Sequence, residues 1–282
     1  MISIQGLQKK YKDFSLDVSM QIPPGTVTGL IGRNGAGKST TIKAILGLIK
    51  PDAGEVKVFS RNPREFGAAD KEKIGVVLPN NGFSEEITPE DVACILRAMY
   101  PKFDESDFRE KCRSQGISMK QQIKSLSTGT KAKLRMAVAL THGAELLVLD
   151  EPTAGLDVVA RREVMDWIRE YLEKDAERSV LISSHISTDL EGFCDDVYLI
   201  DNGAIVLHEE TDTILDRYGV LKVSEEEFAK LDRAYLTAVK KEAFGYVCLT
   251  KEKQYFRENF PGIAVENAGI DSVILILLGG QR

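Results

Sequence analysis

The feature that most restricts the fold is an octet, Gly32–Ser39, which reads GRNGAGKS. It fits the pattern G-x-x-x-x-G-K-[ST] and lies between a predicted buried strand, Thr26–Ile31, and a predicted helix from Lys38 to about Leu48. Here the glycines allow successive backbone N–H groups to point inward at phosphate oxygens, and the helix adds its positive N-terminal end. The loop therefore predicts a site for a nucleoside triphosphate.

Side chains of this loop predict individual contacts. Lys38 is expected to reach the β- and γ-phosphates, the hydroxyl of Ser39 to bind Mg²⁺, and Thr40 to donate to an α-phosphate oxygen. The residues predicted to bind the nucleotide are Asn34, Gly35, Ala36, Gly37, Lys38, Ser39 and Thr40.

Two acids follow a second apolar strand, Leu146–Leu149. Because an acid at the carboxyl end of a buried parallel strand lies at the ligand edge of the sheet, Asp150 is expected to hold Mg²⁺ through its water shell. Glu151 is expected to orient or deprotonate the attacking water. The alternative is a purely structural cap, but a phosphate loop in the same chain favours catalysis.

Strands and helices alternate along residues 1–215, and the predicted strands are apolar on both faces. This pattern predicts an α/β fold, a P-loop NTPase core with a mainly parallel sheet and an N-terminal antiparallel β part. The N-terminal part is predicted from two strands, Ser3–Leu7 and Phe14–Ile22.

Two segments differ from this alternation. A helical subdomain is expected over about residues 88–140, where Thr88 and the proline after it mark a helix start. Residues 216–282 are interpreted as a small C-terminal α/β accessory domain, because strand and helix patterns alternate more weakly there. Its alternating segments are Val220–Val223, Glu225–Leu231, Tyr246–Leu249, Lys251–Asn259 and Val273–Leu278.

Charge and hydropathy exclude several classes of protein. With 37 basic and 43 acidic residues the net charge is −6, which argues against nucleic acid as a partner. The purest apolar run, Val273–Leu278, has six residues, whereas a membrane-spanning helix needs about 20. The N-terminal residues do not have the pattern of a secretory signal. The chain is therefore expected to be cytoplasmic.

Two further motifs and a histidine indicate which family of P-loop proteins the chain resembles. Leu126–Thr130 reads LSTGT, Asp150–Asp157 reads DEPTAGLD, and His185 follows the next predicted strand. Together with the phosphate loop, these motifs resemble the nucleotide-binding subunits of ABC transporters over about residues 1–210.

The resemblance implies that two copies pack head to tail around two ATP molecules with Mg²⁺. In such a dimer, Ser127 and Gly129 of one copy bind the γ-phosphate held by the other, and Asp157 lies at the seam. His185 is expected to hydrogen-bond the γ-phosphate and, with Glu151, to hold the attacking water.

The sequence departs from the family pattern in places. Thr128 and Thr130 stand where the signature has glycine and glutamine, and Leu78–Asn81 reads LPNN where a glutamine is expected. Asn80 is predicted to replace that glutamine as a Mg²⁺ ligand through its shorter amide, with a water molecule in the gap as the alternative. Tyr11 matches the aromatic residue that stacks on adenine, with an ordinary strand-edge tyrosine as the alternative.

The resemblance predicts an ATP-hydrolysing subunit that drives an integral-membrane permease on a separate chain. It is expected to work as a homodimer or heterodimer at the cytoplasmic face of the membrane. The relaxed signature and the run Met99–Asp104 are similar to ATPases of bacterial exporters of antibiotics, bacteriocins or toxic peptides. The alternatives are a non-transport ABC-type ATPase and a nucleotide-gated regulatory module.

The permease is expected to dock in the groove beside Asn80–Phe83 and the helical subdomain. Apolar residues there are predicted either to contact the permease or to pack in the core. They are Phe83, Ile87, Tyr100 and Phe103.

Overall fold

A computed structural model of the chain describes residues 1–79, 83–186 and 190–279. The elements of the first half are β1 (Ile2–Lys10), β2 (Ser15–Ile22), β3 (Val27–Ile31), α1 (Lys38–Ile45), β4 (Ala53–Val58), α2 (Ala68–Lys71), β5 (Ile74–Val77), α3 (Pro89–Met99), α4 (Glu105–Ser114) and α5 (Thr128–Thr141). Those of the second half are β6 (Leu146–Asp150), α6 (Val158–Glu173), β7 (Ser179–Ser184), β8 (Asp196–Asp201), β9 (Ala204–Glu210), α7 (Thr211–Arg217), β10 (Gly219–Val223), α8 (Glu225–Phe228), β11 (Ala238–Glu242), β12 (Gly245–Thr250), α9 (Lys253–Asn259), β13 (Val265–Asn267) and α10 (Ile270–Gly279).

The central sheet has nine strands within the described ranges, in the order β4-β1-β2-β9-β8-β3-β7-β6-β5. The strands from β8 to β5 in this order run parallel, whereas β1 pairs antiparallel with β2 and β4. β3 and β6 are buried along their whole length, as their apolar sequences require. The predicted fold, a mainly parallel sheet with an N-terminal antiparallel part, is confirmed.

The register of the parallel strands brings the predicted site residues to one edge. Ile31, the last residue of β3, is paired with Ser184 at the end of β7. Asp150, at the end of β6, is paired with Ser183. Because parallel strands end at a common edge, the phosphate loop, the two acids and His185 all leave the sheet side by side.

Three helices, α3, α4 and α5, lie between β5 and β6 along the chain. Each begins at a capping side chain, which Thr88, Asp104 and Ser127 provide. At α3 the cap is reciprocal, because Thr88 Oγ1 accepts from the Asp91 N–H at 3.2 Å and Asp91 accepts from the Thr88 N–H at 2.8 Å. The helix start predicted at Thr88 is therefore confirmed.

The C-terminal part contains a second sheet, in which the described strands are antiparallel and follow the order β11-β12-β10-β13. Part of this sheet has a small core of its own, which includes Leu221, Phe228 and Phe256. The last of the alternating segments, Val273–Leu278, lies in α10. The sequence of this apolar run is compatible with a strand or a helix. In the structure it is a helix, and one face of that helix packs against the core.

The division at residues 215/216 stays a prediction, and residue 215 lies inside α7. Buried residues of α10, such as Val273 and Ile276, belong to the same hydrophobic cluster as β6 and α6. In the described part of the chain, no helix has both the length and the hydropathy needed to cross a membrane.

Candidate nucleotide-binding site

The phosphate loop connects the buried end of β3 to the start of α1. Gly35 and Gly37 have φ values of +82° and +120°, a region that L side chains rarely adopt. Gly32 is required for a different reason, because a Cβ atom there would lie 2.3 Å from the carbonyl oxygen of Ile200 in β8. The glycines thus allow the loop to curl tightly against the edge of the sheet.

Lys38, the first residue of α1, is buried and its ammonium group lies inside the loop. Its Nζ donates to the carbonyl oxygen of Gly32 at 2.7 Å and lies 3.1 Å from Oε1 of Glu151. The side chains of Lys38 and Glu151 are only 6% and 14% exposed. This lysine is therefore held where phosphate oxygens would enter, and it is paired with the predicted catalytic acid.

Asp150 is buried at the end of β6. Its Oδ1 accepts a hydrogen bond from Ser183 Oγ at 2.6 Å. Its Oδ2 is also buried and has no hydrogen-bond partner among the described residues. Because a buried carboxylate oxygen without a partner is costly, this atom fits a ligand such as Mg²⁺ or a water bound to it.

Glu151 links the phosphate loop to His185. Its Oε2 lies 2.5 Å from His185 Nδ1, while its Oε1 lies near Lys38. The backbone of Glu151 has φ +52°, and its N–H donates to Ser183 Oγ at 3.0 Å. A non-glycine residue in this conformation is strained, and the contact with Ser183 helps to hold it.

An open cleft of about 320 Å³ lies over the loop. The predicted nucleotide-binding residues that line it are Asn34, Gly35, Gly37, Lys38, Ser39 and Thr40. Ala36 is buried behind them and is 5% exposed. Ser39 and Thr40 are half-buried at the N-terminus of α1.

A cluster of three or more acidic, histidine or cysteine side chains suited to a metal ion is absent from the described residues. The Mg²⁺ site therefore stays a prediction that rests on Ser39 and Asp150.

The cleft also has walls that the sequence did not predict, formed by Phe14, Arg33 and Pro79. Tyr11 is 49% exposed and its ring centroid lies 6.3 Å from that of Phe14. The Tyr11 N–H donates to the Phe14 carbonyl at 2.7 Å, which closes the turn between β1 and β2. Two aromatic residues thus flank one turn, and only Phe14 lines the cleft. Stacking of Tyr11 on adenine stays a prediction.

The signature residues lie apart from this cleft. Ser127 is exposed at the start of α5, where its Oγ accepts from the Thr130 N–H at 3.1 Å. Gly129 is half-buried beside Leu156, and Asp157 is exposed and caps α6 by accepting from the Ala160 N–H at 2.9 Å. None of these described residues lines the chain's own cleft. They can therefore face another molecule.

The predicted docking region is described in part. Asn80 lies outside the described residues, so its predicted contact with Mg²⁺ stays a prediction. The four apolar candidates named for this groove are half-buried and pack against the main core; they are Phe83, Ile87, Tyr100 and Phe103. The uncharged residues exposed on α3 are instead Cys94, Ile95, Ala98 and Met99, and the charged residues Asp91 and Arg97 are exposed beside them.

Comparison with known proteins agrees with this geometry. The family model described as "ABC transporter" matches residues 16–154. The chain is 33% identical over 216 residues to the lantibiotic transport ATP-binding protein SrtF of Streptococcus pyogenes, a match that covers 75% of this chain and 92% of that protein.

Solved structures with the same fold include the ATP-binding subunit of an ABC transporter, with a TM-score of 0.67 and 26% identity, covering 76% of this chain and 91% of that one. A dimeric ATP-binding cassette in a post-hydrolysis state bound to ADP and Pi has a TM-score of 0.66 at 21% identity, covering 74% and 98%. With the phosphate loop and the paired acids at one edge of the sheet and the signature exposed at the start of α5, the chain belongs to the ABC transporter family as an ATP-binding subunit.

Proposed function

We propose that the chain hydrolyses ATP and that hydrolysis drives a permease on a separate chain, in an exporter of antimicrobial or toxic peptides and drugs. The observation that carries this proposal is the position of Glu151. Its carboxylate lies between the ammonium of Lys38 and the imidazole of His185, at 3.1 and 2.5 Å. A half-buried acid beside a phosphate loop is suited to acting on water next to a γ-phosphate.

ATP enters the cleft with its phosphates on the loop. The N–H groups of the loop and the N-terminus of α1 hold the phosphate oxygens, and Lys38 exchanges its contact with Glu151 for the β- and γ-phosphates. Ser39 and Asp150 would hold Mg²⁺, which when bound neutralises phosphate charge. Phe14 or Tyr11 supplies an aromatic face for adenine.

Glu151 then acts on the attacking water. Released from Lys38, its Oε1 accepts a proton from the water while the water oxygen bonds to the γ-phosphorus. The bond from that phosphorus to the bridging oxygen breaks, and ADP and phosphate result. His185 orients Glu151 through Nδ1, and Nε2 is the ring nitrogen that can reach the γ-phosphate.

A second cassette completes the site. Ser127 and Gly129 stand at the start of a 14-residue helix, so their hydroxyl and N–H groups can bind the γ-phosphate of a facing molecule. Asp157 would lie at the seam between the two. The facing molecule is a second copy or a related cassette.

The permease docks on α3 in this proposal. Cys94, Ile95, Ala98 and Met99 repeat at helical spacing and form an uncharged, exposed stripe. Exposed apolar stripes of this kind mark interaction sites. The chain would then lie on the cytoplasmic face of the membrane, and the lantibiotic transport function of SrtF supports a peptide as cargo.

The test is ATP turnover by the purified chain with Mg²⁺, compared with Glu151→Gln and with the matched control Glu145→Gln at a surface carboxylate. Wild type and the control should hydrolyse ATP, whereas Glu151→Gln should stop turnover and accumulate an ATP-bound dimer on size-exclusion chromatography. Turnover that survives Glu151→Gln would remove the catalytic assignment. A Glu151→Gln variant that stays monomeric in saturating ATP and Mg²⁺ would refute the paired arrangement.

A further inference from the structure

Two basic side chains on α5 reach the segment that follows β5. Lys131 Nζ lies 2.7 Å from Glu85 Oε1, and Arg135 Nη1 donates to the carbonyl oxygen of Pro79 at 3.2 Å. Lys131 and Arg135 are four residues apart in the helix and therefore share a face. One helix thus contacts both Pro79 and Glu85.

The contact of Arg135 involves a wall of the chain's own nucleotide cleft. Pro79 lines that cleft together with Lys38 and Glu151. A nucleotide that changes the position of this wall therefore acts directly on the guanidinium group of Arg135.

The other end of α5 carries the signature. Ser127 caps the helix and is exposed, and in the proposed function it binds the nucleotide of the facing molecule. Eight residues separate Ser127 from Arg135, which is about 12 Å along the helix axis. Arg135 lies in the 14-residue helix that Ser127 caps, and Ala132 and Leu134 between them are buried. Because a helix moves as a rigid unit, a shift of α5 at Arg135 also moves Ser127.

We infer that Arg135 is a positioning residue that couples nucleotide in the chain's own cleft to the position of Ser127, and so couples the two ATP sites of a dimer. The inference rests on the proposed function, because it needs Ser127 to serve the second site. Arg135 contacts a backbone carbonyl, so it acts through Pro79 and α5 and not on ATP itself. Burial lowers the pKa of Arg135, but an arginine stays charged in proteins.

The experiment compares the full-length variants Arg135→Gln and Arg135→Lys with wild type. The matched control is Arg178→Gln, since Arg178 Nη1 also donates to a backbone carbonyl, that of Tyr171 at 2.7 Å, and Arg178 does not line the described cleft. Two quantities are measured, the Kd for ADP and the Hill coefficient of ATP hydrolysis. Site coupling in proteins is typically about 5- to 150-fold, so its loss is measurable.

Arg135→Gln should leave the Kd for ADP within about two-fold of wild type and lower the Hill coefficient from about two toward one. Arg135→Lys should retain part of the cooperativity, because a lysine keeps the charge but loses the planar donor group. Arg178→Gln should keep the wild-type Hill coefficient. If Arg135→Gln does not fold, Lys131→Met tests the same link at Glu85 and should also lower the Hill coefficient.

A wild-type Hill coefficient in Arg135→Gln, or an equal loss in Arg178→Gln, would overturn the inference. So would hydrolysis by wild type without any cooperativity. A wild-type chain that hydrolyses no ATP would instead refute the proposed function.

Discussion

The pairing of Lys38 with Glu151 predicts that the catalytic acid competes with nucleotide. ADP binding must break the 3.1 Å contact and bring phosphate charge beside the carboxylate. Glu151→Gln removes the charge but keeps the size of the side chain. We therefore expect this variant to bind ADP more tightly than wild type. This effect on affinity is separate from the loss of ATP hydrolysis.

The size of the effect follows from the burial of the pair. The side chains of Lys38 and Glu151 are 6% and 14% exposed, so solvent screens their charges only in part. Interactions with charged groups contribute about 1.5–3 kcal/mol net, and 1.4 kcal/mol is about ten-fold in Kd. We expect Glu151→Gln to lower the Kd for ADP by about ten-fold, at the lower end of this range because Gln can still donate and accept hydrogen bonds.

The assay is titration of the purified chain with ADP by isothermal calorimetry. ADP avoids turnover, so the measured affinity reports nucleotide binding and not hydrolysis. Glu145→Gln serves as the control, because Glu145 pairs with Lys73 and Lys102 at 3.9 and 3.8 Å outside the described cleft. Equal or weaker ADP binding by Glu151→Gln, with an intact melting transition, would refute the competition.

Three further predictions concern single residues. Lys38→Ala should abolish ATP binding, because the loop loses its phosphate-binding ammonium group; an unchanged ATP titration would show that the loop is misinterpreted. Gly32→Ala should lower the free energy of unfolding by about 1–3 kcal/mol in urea, since the new Cβ would lie 2.3 Å from the Ile200 carbonyl oxygen. Gly262→Ala, with open space around it, should change stability little. Cys94 should react with a maleimide in the native chain much faster than the three buried cysteines, and bound permease should protect it; equal labelling with and without permease would argue against docking on α3.

The parts of the site that depend on local chemistry could be predicted from sequence. The phosphate loop could be predicted because its glycines and Lys38 stand at a fixed spacing. The positions of the two acids could be predicted because they come directly after an apolar strand. Contacts made by residues distant in sequence could not be predicted. Phe14 lines the cleft and Tyr11 does not, because the Phe14 ring lies beside Gly37 at the start of α1, where a Cβ on that glycine would be 3.2 Å from the ring.

The contact of Arg135 with Pro79 is of the same kind, since 56 residues separate the two. Nothing in the run around Arg135 distinguishes it from an ordinary solvent-facing residue of a helix. The secondary structure of Val273–Leu278 could not be predicted for a related reason. A short apolar run has no period of its own, and only the surrounding core, which covers one face of α10, selects the helix.

The position of α10 has a practical consequence for protein engineering. Its buried residues Val273, Ile276 and Leu277 complete the hydrophobic cluster that also contains Leu190 and Ile214. A shortened chain that ends near residue 215 would lack these side chains and would expose apolar surface of the catalytic half to water, including that of Leu190 and Ile214. Workers who seek a minimal cassette should therefore keep the tail, or replace the newly uncovered leucine and isoleucine side chains with polar ones before cutting.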